Sequence, residues 1–179
     1  TLLNKKTAMA EWVRKPAATQ LKYSDGAVNV LVDRAYHVAL LKALTEAEQS
    51  IDVSMFYFSY STKRDHPNTA IVQELVRAKK RGVRVQVLLD RDRPGDLYNS
   101  RRINETARKY LAERGIAVAF DAPETVNHSK FVAIDGKRVL LGSHNWTRNS
   151  QEQLHEVSLS VESSVISKKC SELVSVHFE

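Results

Sequence analysis

Between His128 and Asn145 the chain carries two apolar runs, Phe131–Ile134 and Val139–Leu141, separated by Asp135-Gly136-Lys137. Asp-Gly between two such runs is a strong hairpin signal, because the turn that matches strand twist needs left-handed backbone at both central positions. Whatever sheet the chain builds must therefore contain one antiparallel pair. Polar side chains stand at the open end of that pair. His128 and Lys130 are two apart, so on a strand they share a face, while Ser129 and Phe131 point the other way. The returning strand brings Ser143 and Asn145 toward them. One imidazole, one ammonium, one hydroxyl and one amide then converge. The imidazole can attack or shuttle a proton, and the ammonium and amide can hold phosphate oxygens as negative charge builds in the transition state. Such a set suits phosphoryl transfer without a metal cation.

Elsewhere strand and helix patterns alternate. Ala27 to Val32 reads as a strand, Tyr36 to Glu48 as a helix with Tyr36, Leu40, Leu44 and Ala47 on one stripe, and Ile51 to Phe58 as a strongly apolar strand. Thr69 to Arg81 reads as a helix stopped by Gly82, Val83 to Leu89 as a strand, Ser100 to Arg114 as a helix stopped by Gly115, and Ile116 to Phe120 as a strand. After the hairpin come a strand at Val157 to Val161 and a helix near Val165 to Val174. This order predicts an α/β fold with a mixed, mostly parallel sheet and helices on both faces. Residues 1–24 are polar and basic and read as an N-terminal extension with a short packing helix around Trp12 and Val13. Residues 25–179 read as one catalytic domain, with no internal repeat.

The spacing of the polar cluster is H-x-K, four residues, D, six residues, G-S-x-N, carried by His128, Lys130, Asp135, Gly142, Ser143 and Asn145. It resembles the HKD motif of the phospholipase D superfamily, present here in one copy, and the chain is similar to the small bacterial metal-independent endonucleases of that superfamily. The resemblance implies an α/β/α sandwich over roughly residues 25–175. It implies that His128 attacks phosphorus to give a phosphohistidine, that Lys130 and Asn145 hold non-bridging oxygens, and that Ser143 donates to the phosphate or to a neighbouring motif residue. It also implies a downstream glutamate that orients the imidazole. Glu156 is the first candidate and Glu152 the second. Asp135, at the hairpin tip, and Gly142 are read as structural. One imidazole cannot serve both sides of an in-line displacement, and family members use two motifs facing each other. The single motif thus predicts a homodimer that builds one active site; the alternative is one half of a longer two-motif chain.

Charge points to the partner. Twenty-seven Lys and Arg against twenty-one Asp and Glu leave a formal +6, which suits nucleic acid or an acidic membrane surface. No apolar run approaches the roughly 20 residues of a membrane span. One cysteine, Cys170, and scattered histidines give no zinc spacing, so no cofactor or metal is expected. Arg91 and Arg93 follow a strand end, where ligands gather. They either hold a nucleic-acid backbone or pair locally with Asp90 and Asp92. Arg101 and Arg102 begin a helix, where cations oppose the dipole, which favours a phosphate-facing role. Lys79, Lys80 and Arg81 end a helix and complement its dipole. Tyr57, Phe58 and Tyr60 are read as packing residues before base-stacking ones, His66 as a loop residue, His144 as turned away from the site, and Trp146 as packed beneath the hairpin. Three functions remain in order: a nuclease for DNA or RNA, a phospholipase acting on cardiolipin or another anionic lipid, and a nucleic-acid-binding module with an idle site. An exported or periplasmic location is compatible with the first.

Overall fold

The computed structural model describes residues 26–62, 65–93 and 95–178. The expected helix around Trp12 and Val13 lies outside the described residues. The elements run β1 (Val28–Val32), α1 (Arg34–Glu46), β2 (Ser50–Met55), α2 (Thr69–Lys80), β3 (Arg84–Leu89), α3 (Ser100–Ala112), β4 (Ala117–Phe120), β5 (Lys130–Ile134), β6 (Arg138–Gly142), α4 (Arg148–Glu152), β7 (Val157–Glu162) and α5 (Ser164–Ser175). All seven strands join one sheet in the order β1-β7-β6-β5-β2-β3-β4.

The mixed sheet and the helices on both faces are as the sequence predicts, but its balance is antiparallel rather than mostly parallel. Only β2/β3 and β3/β4 are parallel, while β1/β7, β7/β6, β6/β5 and β5/β2 are antiparallel. Parallel neighbours need a crossover connection, and only α2 and α3 supply one between adjacent strands. No helix separates β4 from β5, so the chain enters β5 against the direction of β2. Gly82 and Gly115, at φ 91° and 75°, turn the chain out of α2 and α3 in left-handed backbone.

The period-two alternation of the strands divides the core. Val132 and Ile134 of β5 face a cluster with Leu40 and Leu44 of α1, Ile71 and Leu75 of α2, and Leu111 of α3. Phe131 and Ala133 face the other side, with Val139, Val161 and Val174 of α5. Each fully buried aliphatic side chain contributes roughly 1.5–3 kcal/mol, so both layers hold β5 in register. The motif strand is therefore central and fixed from above and below, and its polar end opens at the sheet rim.

Candidate active site

His128 lies two residues before the start of β5. Met55 of β2 stands opposite Lys130, and the Phe56 N–H donates to the Ser129 carbonyl at 3.1 Å, extending the pairing past both strand ends. The Phe56 ring becomes the floor of the motif. The His128 imidazole packs edge-on against it with centroids 4.6 Å apart, and Lys130 Nζ lies 5.2 Å from its centroid. Lys130 also donates to the His128 carbonyl at 2.7 Å. Ser129 faces the opposite side, where its hydroxyl meets Ser54 and Asn127.

Asn145 arrives by a crossing. β5 lies between β6 and β2, yet the Trp146 N–H donates to the Tyr57 carbonyl at 2.9 Å and Phe58 pairs with Trp146 in a parallel bridge. Residues 143–146 therefore pass over the mouth of β5. Asn145 lands beside Tyr57, whose N–H donates to its Oδ1 at 3.2 Å, leaving the amide NH₂ as the free donor. The same pairing explains why β2 ends at Met55 rather than Phe58: beyond Met55 the backbone turns to Trp146. That tryptophan is fully buried, packs edge-on against Phe58 and donates to the Tyr36 hydroxyl at 3.1 Å.

Two motif positions act on the scaffold. Asp135 and Gly136 form the turn with φ 54° and 61°. The Asp135 carboxylate accepts from the N–H groups of Glu48, Gln49 and Ser50 at 3.1, 2.7 and 2.9 Å. Burial pushes this carboxyl's pKa up, but the three N–H groups outweigh it and hold it below the usual range. Gly142 lies where β6 and β7 close together. A Cβ there would stand 2.3 Å from Ser158 Oγ and 2.4 Å from its Cα, so no side chain fits. Ser143 turns toward β7 rather than His128: its hydroxyl donates to the Val157 carbonyl at 3.3 Å and accepts from the Val157 N–H at 3.1 Å.

Partial burial, then the Lys130 ammonium, lowers the His128 pKa against the pull of Asp90. Burial likewise lowers that of Lys130, against Glu156 and Asp90. For His128, burial and the Lys130 ammonium both favour the neutral imidazole over the imidazolium. Glu156 does not bond to His128 in the single chain. Its carboxylate accepts from the Ser150 hydroxyl, and its N–H donates to Asp33 Oδ1 at 2.8 Å. The His128 ring has no hydrogen-bond partner among the described residues. Glu152 is paired with Arg148 at 2.9 Å on the outer face of α4. His144 is buried, stacked on Tyr36 at 4.3 Å and held between Ser158 Oγ and the Asp33 carbonyl. Among the described residues no group of three or more His, Cys, Asp or Glu side chains is placed to hold a metal.

The arginines are not gathered with the motif. Arg91 lies over the Phe120 ring at 6.0 Å, and Arg93 donates to the Pro123 carbonyl at 3.0 Å. Neither forms an ion pair with Asp90 or Asp92. Asp92 instead accepts from the Arg101 N–H at 2.9 Å and caps α3, which answers the dipole that Arg101 and Arg102 oppose; both side chains are exposed. His66 accepts from the Asn68 N–H within its loop. Arg81 donates to the Leu44 and Ala47 carbonyls and closes the end of α1. Sequence reasoning missed Asn104. Buried in α3, it accepts from the Phe58 N–H at 2.7 Å and donates to the Phe56 and Asp90 carbonyls at 2.8 and 2.9 Å. It thus fixes the strand ends beneath the site. The available signal was a lone amide on the apolar stripe formed with Ala107 and Leu111.

A family model described as "Cardiolipin synthase, PLD-like domain" matches residues 40–177. Mitochondrial cardiolipin hydrolase of Xenopus laevis is 30% identical over 132 residues, covering 72% of this chain and 54% of that protein. The 5'-3' exonuclease PLD3 of Xenopus laevis is 28% identical over 144 residues, covering 74% and 28%. The chain therefore spans about half the length, or less, of these curated relatives. The crystal structure of Nuc, a phospholipase D family member from Salmonella typhimurium, matches with a TM-score of 0.70 and 24% identity, over 86% of this chain and 95% of that one.

Proposed function

The chain belongs to the phospholipase D-like family, and on that premise we propose that it is a metal-independent phosphodiesterase that cleaves DNA or RNA in an active site built by two subunits. The observation that carries the reading is the gathering of His128, Lys130 and Asn145 around Phe56 and Tyr57. These are a nucleophile and two nitrogen donors, the set that meets phosphate oxygens directly. The neutral His128 of one subunit attacks phosphorus, forming the P–N bond as the P–O bond to the leaving group breaks. The leaving oxygen takes a proton from the protonated His128 of the second subunit. That imidazole, now neutral, removes a proton from water, which attacks phosphorus and breaks the P–N bond. Lys130 and Asn145 of both subunits hold the non-bridging oxygens. Ser143 joins them on release from Val157. Glu156 fixes the imidazole tautomer, a contact that requires the second copy or rotation away from Ser150.

The formal +6 charge supports a nucleic-acid substrate, with Arg101 and Arg102 as exposed candidates for its backbone and Arg91 and Arg93 reaching it only by leaving their present contacts. A second reading, hydrolysis of cardiolipin or another anionic phospholipid, is favoured by the likeness to a mitochondrial cardiolipin hydrolase. One experiment separates them. Single-stranded DNA, duplex DNA, RNA and cardiolipin-containing vesicles are offered in parallel with excess EDTA, using the wild type and His128→Ala. Nucleic-acid cleavage should survive EDTA and fall on the order of 10³-fold or more in the variant. Cleavage of vesicles alone moves the protein to the lipid reading, and loss of all activity in EDTA overturns the metal-independent mechanism.

A further inference from the structure

β3 ends at Leu89, and the next residue, Asp90, is fully buried. Its backbone is held on two sides: the N–H donates to the Met55 carbonyl at 3.3 Å, and the carbonyl accepts from the Asn104 amide at 2.9 Å. Oδ1 accepts at 2.7 Å from the N–H of Asn127, the residue just before His128. Oδ2 is buried without a hydrogen-bond partner among the described residues. The Ser100 hydroxyl is near enough to draw the carboxyl's pKa down, yet it does not meet Oδ2 in hydrogen-bond geometry. A buried acceptor left without a donor is expensive and calls for a reason. The His128 ring, on the residue after Asn127, packs against Phe56 and has no hydrogen-bond partner among the described residues.

Charge couples the same two groups. Burial raises the Asp90 carboxyl, the neighbouring Asp92 raises it further, and His128 lowers it. Asp90 in turn favours the charged forms of His128 and Lys130, and it acts on Tyr57 and Asp121 as well. Glu156 acts on Lys130 and His144, so Asp90 is the carboxylate whose field reaches the motif imidazole within one chain.

We infer that Asp90 is a positioning residue for His128: Oδ1 holds the backbone that carries the imidazole, and the buried carboxylate sets a fixed negative charge behind the ring's attachment that favours its cationic form. The catalytic part of this role rests on the phosphodiesterase reading, whereas the effect on the imidazole does not. In the reaction, the ring gains positive charge either as an imidazolium or as a phosphohistidine, and a fixed negative charge nearby stabilises both.

The test is Asp90→Asn, which keeps the shape and the Oδ1 acceptor and removes the charge. The His128 imidazole is titrated by NMR in protein without substrate, alongside circular dichroism and a thermal melt. The His128 pKa should fall by about one unit. With bis(p-nitrophenyl) phosphate as probe, both limbs of the kcat/KM profile should move to lower pH, and kcat should fall about tenfold or more. An unmoved His128 pKa overturns the assignment even if activity drops, because Asp90 would then only hold the loop. Should the variant fail to fold, the wild-type Asp90 carboxyl carbon must show an inflection at the pKa of His128, and its absence overturns the assignment too. Failure of the wild type to hydrolyse any diester would count against the phosphodiesterase reading and leave the titration to decide the role of Asp90.

Discussion

Gly142 is constrained by contact rather than by conformation. Its φ lies outside the left-handed region, but a Cβ would overlap Ser158, including its backbone, at 2.3–2.6 Å. The Ser158 hydroxyl also holds His144 at 2.7 Å, so anything that pushes β7 away disturbs the segment carrying Ser143 and Asn145. Gly142→Ala should therefore lower stability by about 1–3 kcal/mol and reduce activity with it. Gly136→Ala, at φ 61° in the turn and meeting only the Lys168 side chain at an ordinary 3.7 Å, should cost about 1 kcal/mol and leave the site intact. Urea denaturation and a cleavage assay on both variants check the contrast; equal loss of activity would show that the hairpin as a whole, not the β6–β7 approach, governs the site. The glycine was visible in the sequence as a motif position, but the reason for it was not, because Ser158 is sixteen residues away and pairs with it only in the folded register. Asn104 was hidden for the same reason. Its partners are carbonyls and an N–H of other strand ends, which no local spacing reveals.

The hairpin was the most legible element, and its tip is an anchor as well as a turn. Three consecutive N–H groups between α1 and β2 point at the Asp135 carboxylate, tying β5 and β6 to the chain that enters the central strand. Because the folded pKa of Asp135 is lowered, its contribution is complete above the unfolded carboxyl value, about 3.9. It fades as pH falls through that value toward the folded one. Asp135→Asn should cost about 1–3 kcal/mol at pH 7, and the gap to wild type should narrow below about pH 4. Chemical denaturation across pH 2 to 7 measures it, and a gap that stays constant with pH would mean that the charge is not what the turn uses. Strand and helix positions were otherwise recoverable from period-two and helical apolar patterns, whereas strand direction was not. Alternation of strand and helix suggested parallel crossovers everywhere outside the hairpin. The pairing of β1 with β7, the first strand with the last, depends on contacts across the whole chain that periodicity does not encode.

At the level of the molecule, one copy of the motif leaves the proposed reaction one imidazole short. The sheet also leaves an apolar row exposed where it meets the site: Val30 and Val32 of β1 lie beside Leu159 and Val157 of β7, and Val157 is bonded to Ser143. Exposed apolar surface of this kind commonly marks an interaction face, and the proposed shared site requires a second copy whose motif reaches this rim. The consequence is quantitative. Suppose His128→Ala chains are mixed with wild type in roughly ninefold excess and the two are refolded together. If each chain works alone, activity follows the wild-type fraction and about one tenth of the full value survives. If each active site needs two intact imidazoles, only pairs of two wild-type chains count, about one in a hundred by random pairing. The tenfold difference is readable in a cleavage assay at fixed total protein. A linear dependence on wild-type fraction would sink the shared site while leaving the chemistry of His128 untouched. A quadratic one would locate catalysis at the junction of two chains, and replacing Val30 or Leu159 with Lys should then abolish it by separating them rather than by unfolding them.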